Sequence, residues 1–295
     1  MTETTILTLT RGRTSIEVWT IGARLNAATW DGETGLLDGA STVEEAQGEK
    51  LNHGSVAGPV ANRIAGGEAK IDGERHRFEQ NENGKTLLHS GSKSTRDAIW
   101  EVTEQSAEGA TLTLDLPHMS DDFPGNRVLT ARYLVQEDGF DLTFRATSDA
   151  PTLINLALHP YWRLGTDRAG LRLRVESRRY LPVDADKIPL GETAPVDGTP
   201  FDLRTMAHPS PEIDHNYCFD GGEIQRLATL ASKRLALAID SDAPGLQVFT
   251  GKPIGIALEP QHWPDAPHHD AFPSILLRPG ESYTQTTRYR FSRPG

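Results

Sequence analysis

The stretch LTARYLVQEDGFDLTFRA at residues 129–146 decides the fold class of this chain. Apolar residues occupy every second position over 129–135 and again over 140–146, which is the period of a β-strand with one buried face. The polar tripeptide Glu137-Asp138-Gly139 between the two runs is typical of a turn. The stretch therefore predicts an antiparallel β-hairpin.

The same alternation continues along the chain in both directions. It returns over 171–175, 235–239 and 283–291, so strands are expected from end to end. The single helical signal is short: Ser41 and Glu44 resemble a capping box before residues 45–47. Because no helices alternate with the strands and no fixed-period repeat occurs, βαβ and propeller architectures are disfavoured. The pattern predicts an all-β, large antiparallel β-sandwich in which one face of each sheet is buried and the other is free to carry a site.

Composition excludes several classes of protein and of partner. The chain has 295 residues, 30 Lys and Arg against 41 Asp and Glu, and a single cysteine, Cys218. One cysteine excludes a disulfide framework and a cysteine-based zinc site. A net charge of −11 without a basic run argues against nucleic-acid and membrane partners. No apolar run approaches the roughly 18 residues needed to span a bilayer, and the first residues do not resemble an export signal, so a cytoplasmic protein is expected.

Two residues at the ends of apolar runs are candidates for acid–base chemistry. His159 closes the apolar part of INLALHPYWRL at 154–164, and Glu259 follows the apolar run at 254–258. Taken alone, His159 fits a buried core histidine better than a catalytic one, and Glu259 fits a surface acid at a strand end equally well. Burial raises the pKa of a carboxyl group toward the range of an effective general base at neutral pH. If both residues share one cleft, they form an acid–base pair.

Other polar clusters give weaker evidence of a metal, ligand or phosphate site. The segment QHWPDAPHHDAFP at 261–273 places three histidines near two aspartates, but its prolines favour a solvated loop over a metal site. Arg63, beside Asn62, fits either a surface ion pair or a fork that holds vicinal hydroxyls or a carboxylate. Neither GxGxxG nor GxxxxGK[ST] occurs, so no phosphate loop is predicted.

Four separated segments carry a family resemblance. They are VANRIAGGEAKIDG at 60–73, LLHSG at 87–91, NLALHPYW at 155–162 and GIALEPQHWPDAPHHDAFPSILLRPGESYTQTTRYRF at 255–291. DDFPGN at 121–126, IDHNY at 213–217 and PGLQVFTGK at 244–252 match between them. With these motifs in this order, the chain resembles the aldose 1-epimerases, also called galactose mutarotases, over most of its length.

The resemblance implies one β-sandwich domain over residues 1–295 that interconverts the α and β anomers of a free aldose without metal or cofactor. It implies a monosaccharide substrate, no nucleic-acid or membrane partner, and a monomer or homodimer. Glu259 falls on the family's catalytic base and His159 on its acid. Six further residues fall on sugar-contacting positions: Asn62, Arg63, His89, Tyr161, Asp214 and Gln247.

The implied mechanism requires a particular starting protonation state of His159. Glu259 would remove the proton of the anomeric hydroxyl while His159 gives a proton to the ring oxygen, so that the ring opens, C1–C2 rotates and the ring closes on its other face. His159 must therefore start protonated or hydrogen-bonded, which a neighbouring carboxylate would favour.

Departures from the family pattern bear on substrate identity more than on chemistry. Ser90 replaces the usual glycine after the histidine of LLHSG, STRDAIWEV at 94–102 lacks the familiar GFD, and residues 27–52 match only loosely. Two alternatives remain open. A hexose-6-phosphate 1-epimerase would need extra cations, for which Arg63, Arg96 and Arg163 are available near the matched segments. A non-catalytic sugar-binding protein would keep the pocket without turnover.

Overall fold

The hairpin predicted from the sequence lies in the middle of the largest sheet. A computed structural model describes residues 3–294, in which Arg127–Gln136 pairs antiparallel with Gly139–Ser148 across a turn at Glu137 and Asp138. Gln136 stands opposite Gly139, so the register keeps the alternating apolar residues on one face. The hairpin prediction is confirmed. The eight-stranded sheet runs, in spatial order, Arg172–Val175, Gln225–Ala231, Ala236–Ser241, Tyr283–Ser292, Gly139–Ser148, Arg127–Gln136, Gly109–Leu116 and Glu101–Gln105.

A second, six-stranded sheet packs against the inner face of the first. Trp162 from this sheet contacts Tyr289 of the larger sheet with ring centroids 5.5 Å apart, and both rings are buried in the main apolar core. Phe140 stacks on Tyr289 at 4.6 Å, which extends the contact across the larger sheet. The predicted all-β antiparallel sandwich is therefore confirmed. In spatial order the strands are Tyr161–Trp162, Ile256–Gln261, Gly245–Phe249, Asp214–Cys218, Arg179–Tyr180 and Ala194–Pro195.

Smaller sheets complete the strand structure. The N-terminal sheet has three strands, Ile6–Arg11, Thr14–Trp19 and Arg24–Trp30. Two-stranded pairs join Val56–Ala57 to Ala157–Leu158, Arg63–Ile64 to Leu87–Leu88, Glu68–Ile71 to Glu74–Arg77, and Thr152–Leu153 to Leu276–Leu277. The pairs that contain Val56–Ala57 and Arg63–Ile64 matter most for the site, because they place two loops over the free face of the six-stranded sheet.

Helical structure is confined to short segments. The α-helix Val43–Gln47 begins one residue later than predicted: Thr42 is its N-cap and accepts a hydrogen bond from the Glu45 amide, while the Glu45 carboxylate accepts one from the Ser41 amide. The capping box is thus formed by Thr42 and Glu45, one residue after the predicted Ser41 and Glu44. Single 3-10 turns occur at Ala65–Gly67, Gly91–Lys93, Arg168–Gly170 and Ala266–His268. Within residues 3–294 the helices fall short of the length and apolarity that a bilayer crossing requires.

Candidate active site

The floor of the site is the free face of the six-stranded sheet. Leu246, Val248, Ile256 and Leu258 point into the apolar core, so the residues that alternate with them point the other way. Gln247 lies directly opposite Glu259 in the strand register. The two flanking strands add one residue each to this face. Tyr161 lies opposite Ala257 and Asp214 lies opposite Phe249, so these two residues belong to the row next to the Glu259–Gln247 pair.

Backbone pairing outside the sheet places the remaining candidates above these two rows. The His159 amide donates to the Ser55 carbonyl at 3.0 Å, and the Gly54 amide donates to the His159 carbonyl at 2.8 Å. The His89 amide donates to the Asn62 carbonyl at 2.9 Å, which joins the two loops that bear these residues.

All eight residues that the sequence nominated line one cleft of about 140 Å³. Asn52, Leu88 and Phe249 line it as well, and the sequence nominated none of them for the site. The segments 60–63, 87–89, 159–161, 214 and 247–259 thus converge although they span most of the chain. A larger cavity of about 570 Å³ adjoins the cleft and shares Asp214 and Phe249 with it, but neither His159 nor Glu259 lines that cavity.

His159 and Glu259 form a buried pair. His159 Nε2 lies 3.4 Å from Glu259 Oε1, and the two residues are 5% and 1% exposed. Burial lowers the pKa of His159 to about 3. Burial, and then the negative charge of Asp214, raise the pKa of Glu259 well above its usual range, against the opposing effect of Arg63. Burial therefore favours the neutral form of each group, while the contact of 3.4 Å places the Glu259 carboxyl group beside the His159 ring, which the implied mechanism requires to be protonated or hydrogen-bonded.

Both members of this pair keep unused hydrogen-bonding capacity. His159 Nδ1 and Glu259 Oε2 are buried and have no hydrogen-bond partner within residues 3–294. A buried polar atom without a partner costs free energy. Atoms of this kind at the floor of a cleft are suited to bind the polar groups of a ligand.

Arg63 is held by a residue that sequence reasoning missed. Its Nε and Nη2 donate to the two carboxylate oxygens of Glu82 at 2.8 and 2.9 Å, a bidentate pair. Arg63 Nη2 also lies 3.8 Å from Asp214 Oδ2. Its Nη1 has no hydrogen-bond partner in the described part of the chain and is available to a ligand. Glu82 lies in the polar turn QNENGK, where nothing in the sequence distinguishes it from an exposed acid.

The tautomer of His89 is set by its surroundings. The Asn62 amide donates to His89 Nδ1 at 3.1 Å, so Nδ1 must carry the lone pair. Burial, with the positive charge of Arg96 second, lowers the pKa of His89 well below its usual value and keeps the ring neutral. The proton is therefore on Nε2, which makes His89 a hydrogen-bond donor in the cleft.

Acceptors lie on the opposite side, on the sheet. Gln247 Nε2 donates to Asp214 Oδ1 at 2.7 Å, and this contact orients both side chains. Because its amide nitrogen is bound to Asp214, Gln247 presents its carbonyl oxygen as an acceptor. The cleft thus has donors from the paired segments that bear Arg63 and His89 and acceptors from the six-stranded sheet, an arrangement that suits a ligand rich in hydroxyl groups.

Ser90 replaces the usual glycine at a position whose backbone is left-handed, with φ of 60°. A side chain there is strained. The Ser90 hydroxyl donates to the Val60 carbonyl at 3.0 Å and accepts from the Val60 amide at 2.8 Å. These two buried hydrogen bonds offset the strain and fix the loop that bears Asn62.

The loop QHWPDAPHHDAFP, which the sequence suggested to be solvated, is buried over residues 263–266 and exposed at 268, 270 and 271. Asp265 is buried: its carboxylate accepts from the Ala65 amide at 2.8 Å and lies 2.6 Å from His268 Nδ1, while its own amide donates to the Arg63 carbonyl. The segment thus supports the backbone beside Arg63. Within the described range of 3–294, no group of three or more His, Cys, Asp or Glu side chains is arranged to hold a metal ion.

Comparison with known proteins agrees with this geometry. The model of the Aldose 1-epimerase family matches residues 5–290. A galactose mutarotase of Homo sapiens is 32% identical over 271 residues, covering 81% of this chain and 78% of that protein. An aldose 1-epimerase of Escherichia coli strain K12 is 29% identical over 292 residues, covering 86% and 84%.

Solved structures give the same fold. A galactose 1-epimerase from Lactobacillus acidophilus superposes with a TM-score of 0.87 at 25% identity, covering 99% of each chain. An aldose epimerase homologue from C. elegans superposes with a TM-score of 0.91 at 24% identity, covering 99% of this chain and all of that one.

Proposed function

Because the chain belongs to the aldose 1-epimerase family and is thus an isomerase that exchanges the anomers of an aldose, we propose that Glu259 and His159 are its acid–base pair. The observation that carries this assignment is the contact of 3.4 Å between His159 Nε2 and Glu259 Oε1 at the floor of the cleft. Anomer exchange needs one group to remove the proton of the anomeric hydroxyl and another to protonate the ring oxygen, and both must reach adjacent oxygen atoms of one sugar.

The two groups act as a unit that shares one proton. The reactive form has Glu259 as carboxylate and His159 as imidazolium. Glu259 takes the proton of the anomeric hydroxyl while His159 gives its proton to the ring oxygen, so the C1–O5 bond breaks and the aldehyde forms. The open-chain state then has both groups neutral, which is the state that burial favours. After rotation about C1–C2 the same proton transfers run in reverse and close the ring on the other face.

The remaining nominated residues are proposed to hold the sugar. Arg63 Nη1 and His89 Nε2 donate to hydroxyl oxygens, and Asp214 and Gln247 accept from hydroxyl hydrogens. Asn62, whose side-chain oxygen accepts from the Arg63 amide at 3.0 Å, positions Arg63. Tyr161 presents its ring to the cleft and packs edge-on against Phe249, 6.2 Å away, which gives the apolar C–H face of the sugar an aromatic neighbour.

The cations of the cleft support a neutral sugar as substrate. Arg63 is already paired with Glu82, and the three hydrogen bonds of Arg96 go to the oxygens of Ser94, Asn52 and Gly91. A phosphorylated sugar would need an uncommitted cation at the cleft, whereas Arg63 and Arg96 are committed to these partners and Arg163 does not line the cleft. A monosaccharide without phosphate is therefore proposed.

Polarimetry of freshly dissolved α-D-glucose and α-D-galactose tests the assignment. Glu259→Gln and His159→Asn are each expected to lower kcat by about 10²- to 10⁴-fold, since one positioned acid or base contributes that much. Both variants replace a neutral buried group by a neutral group of similar shape, so the melting temperature should stay close to that of the wild type. Near-full activity in either folded variant would overturn the assignment of its residue.

We further propose that residues 1–295 form one domain and that the enzyme works in the cytoplasm as a monomer or homodimer. The convergence of segments from residue 52 to residue 259 on one cleft supports a single folding unit. A single cooperative unfolding transition by calorimetry and the mass in solution by light scattering test the domain and oligomer proposals, and fractionation of the source cells tests the location.

A further inference from the structure

Two segments that depart from the family pattern meet at the edge of the cleft. Asn52 ends the loosely matching stretch 27–52, and Arg96 lies in STRDAIWEV at 94–102. Arg96 Nη1 donates to Asn52 Oδ1 at 2.6 Å. Since a guanidinium only donates, the Asn52 atom that it holds must be the carbonyl oxygen. The amide nitrogen of Asn52 is left without a hydrogen-bond partner among residues 3–294, and Asn52 lines the cleft.

The backbone around Asn52 is held in place by the buried side chain of Arg24. Arg24 is fully buried, and its guanidinium donates to the carbonyls of Lys50 at 2.8 Å, Leu51 at 3.1 Å and His53. These carbonyls flank Asn52 on both sides. The loop is therefore held in place before any ligand arrives, which lowers the entropy lost when its side chain binds one.

Arg96 is equally constrained. It is 6% exposed, its Nε donates to Ser94 Oγ at 2.9 Å, and its Nη2 donates to the Gly91 carbonyl at 2.9 Å. Gly91 is two residues from His89, whose Nε2 is a donor in the cleft. One guanidinium thus ties Asn52 to the segment that bears His89, and both residues line the cleft.

We propose that Asn52 is a specificity-determining residue, which donates from Nδ2 to one hydroxyl oxygen of the aldose away from C1, and that Arg96 is the residue that positions it. The inference rests on the proposed function, since it names how the same cleft selects its sugar. His159 and Glu259 serve the anomeric hydroxyl and the ring oxygen, so Asn52 is available to a hydroxyl elsewhere on the ring. A site built to bond a hydroxyl discriminates against sugars that lack it.

A panel of monodeoxy sugars tests the proposal. The panel contains the 2-, 3-, 4- and 6-deoxy derivatives of D-glucose or D-galactose, whichever the wild type converts with the higher kcat/KM. Asn52→Ala is expected to raise KM for the parent sugar by roughly 2- to 13-fold, the size of one neutral hydrogen bond, with little change in kcat. The variant and the wild type should have the same KM for one deoxy sugar, because that sugar lacks the hydroxyl that Asn52 binds.

Two more variants test separately the hydrogen-bond donor, Asn52, and the residue that positions it, Arg96. Asn52→Asp keeps an oxygen for Arg96 but has no N–H, so it is expected to show the same sugar-dependent loss as Asn52→Ala. Arg96→Met releases the carboxamide and is expected to show the same pattern. Lys93→Met removes an exposed cation from the same segment and is the control that leaves KM unchanged. If Arg96→Met does not fold, as judged by its melting temperature, the two Asn52 variants decide the question.

An equal effect of Asn52→Ala on every sugar in the panel, or no effect on any, would overturn the inference. Failure of the proposed function gives a different result, because the wild type would then not accelerate mutarotation at all. In that case the same panel, measured as sugar affinity by titration calorimetry, tests Asn52 by the same criterion.

Discussion

Glu82→Gln is the most direct test of how this cleft holds Arg63. The two side chains make a bidentate contact at 2.8 and 2.9 Å, and the side chains of Arg63 and Glu82 are 11% and 21% exposed. Glutamine keeps one acceptor oxygen but turns an NH2 group toward the guanidinium. Arg63 then loses a charge-assisted hydrogen bond, and Asp214, at 3.8 Å, becomes its remaining carboxylate partner.

The expected effect is on sugar binding. A hydrogen bond to a charged group contributes about 1.5–3 kcal/mol, and partial exposure of Glu82 places this one near the lower end. About 1.5 kcal/mol corresponds to roughly a tenfold rise in KM. The change in kcat should be smaller, because neither His159 nor Glu259 contacts Glu82. Initial rates by polarimetry over a range of sugar concentrations separate the two constants.

Glu176→Gln is the matched control. Glu176, an exposed residue just after the strand Arg172–Val175, forms a bidentate pair with the exposed Arg174 at 2.8 and 2.8 Å, and neither residue lines the cleft. Loss of this surface pair should leave KM unchanged. The reasoning is refuted if Glu82→Gln keeps a KM within twofold of the wild type, or if kcat falls while KM stays constant.

Three further predictions concern protonation and the core. If Glu259 and His159 titrated independently with ordinary pKa values, kcat/KM would be high only between about pH 4.3 and pH 6.5. A lowered His159 pKa and a raised Glu259 pKa keep one proton on the pair over a wider pH range. Buffer-corrected kcat/KM should therefore persist above pH 6.5, and a decline centred there would contradict the pairing. Asp214→Asn removes a negative charge that raises the pKa of Glu259, so the alkaline limb should move to lower pH; an unmoved limb would exclude this coupling. Tyr133→Phe removes the hydroxyl that donates to the buried Ala23 carbonyl at 2.7 Å, which should lower the free energy of unfolding by about 1–3 kcal/mol in denaturant titrations without changing kcat.

Local patterns in the sequence predicted the strands but not every contact. Alternation over 129–146 identifies the central hairpin because a strand exposes alternate residues to opposite faces, whatever lies elsewhere in the chain. The short helix was displaced by one residue, since Thr42 and Ser41 are equally good caps in sequence and only the backbone path selects Thr42. The loop at 261–273 was interpreted as solvated, but its residues 263–266 are buried, because Asp265 is hydrogen-bonded to the distant segment at 63–65.

The motifs also nominated eight residues of the cleft, but they did not identify Glu82 or Asn52, and they named Arg96 only as a possible cation for a phosphate. Glu82, Asn52 and Arg96 are ordinary polar residues in turns, and their importance depends on what they contact. Glu82 matters because it holds Arg63, and Asn52 matters because Arg96 leaves its amide nitrogen free. Such contacts join residues 19 and 44 positions apart in the chain, and no local period records them.

By itself the sequence determined the all-β class, the strand register of the central hairpin and the family, since each is written in the order and spacing of residues. It left His159 open to a reading as an inert core histidine. The tertiary structure alone decided that His159 Nε2 meets Glu259 Oε1 at 3.4 Å, in a place where burial lowers the pKa of one group and raises that of the other. The physical reason is that a pKa depends on desolvation and on neighbouring charges, and here both come from segments a hundred residues apart.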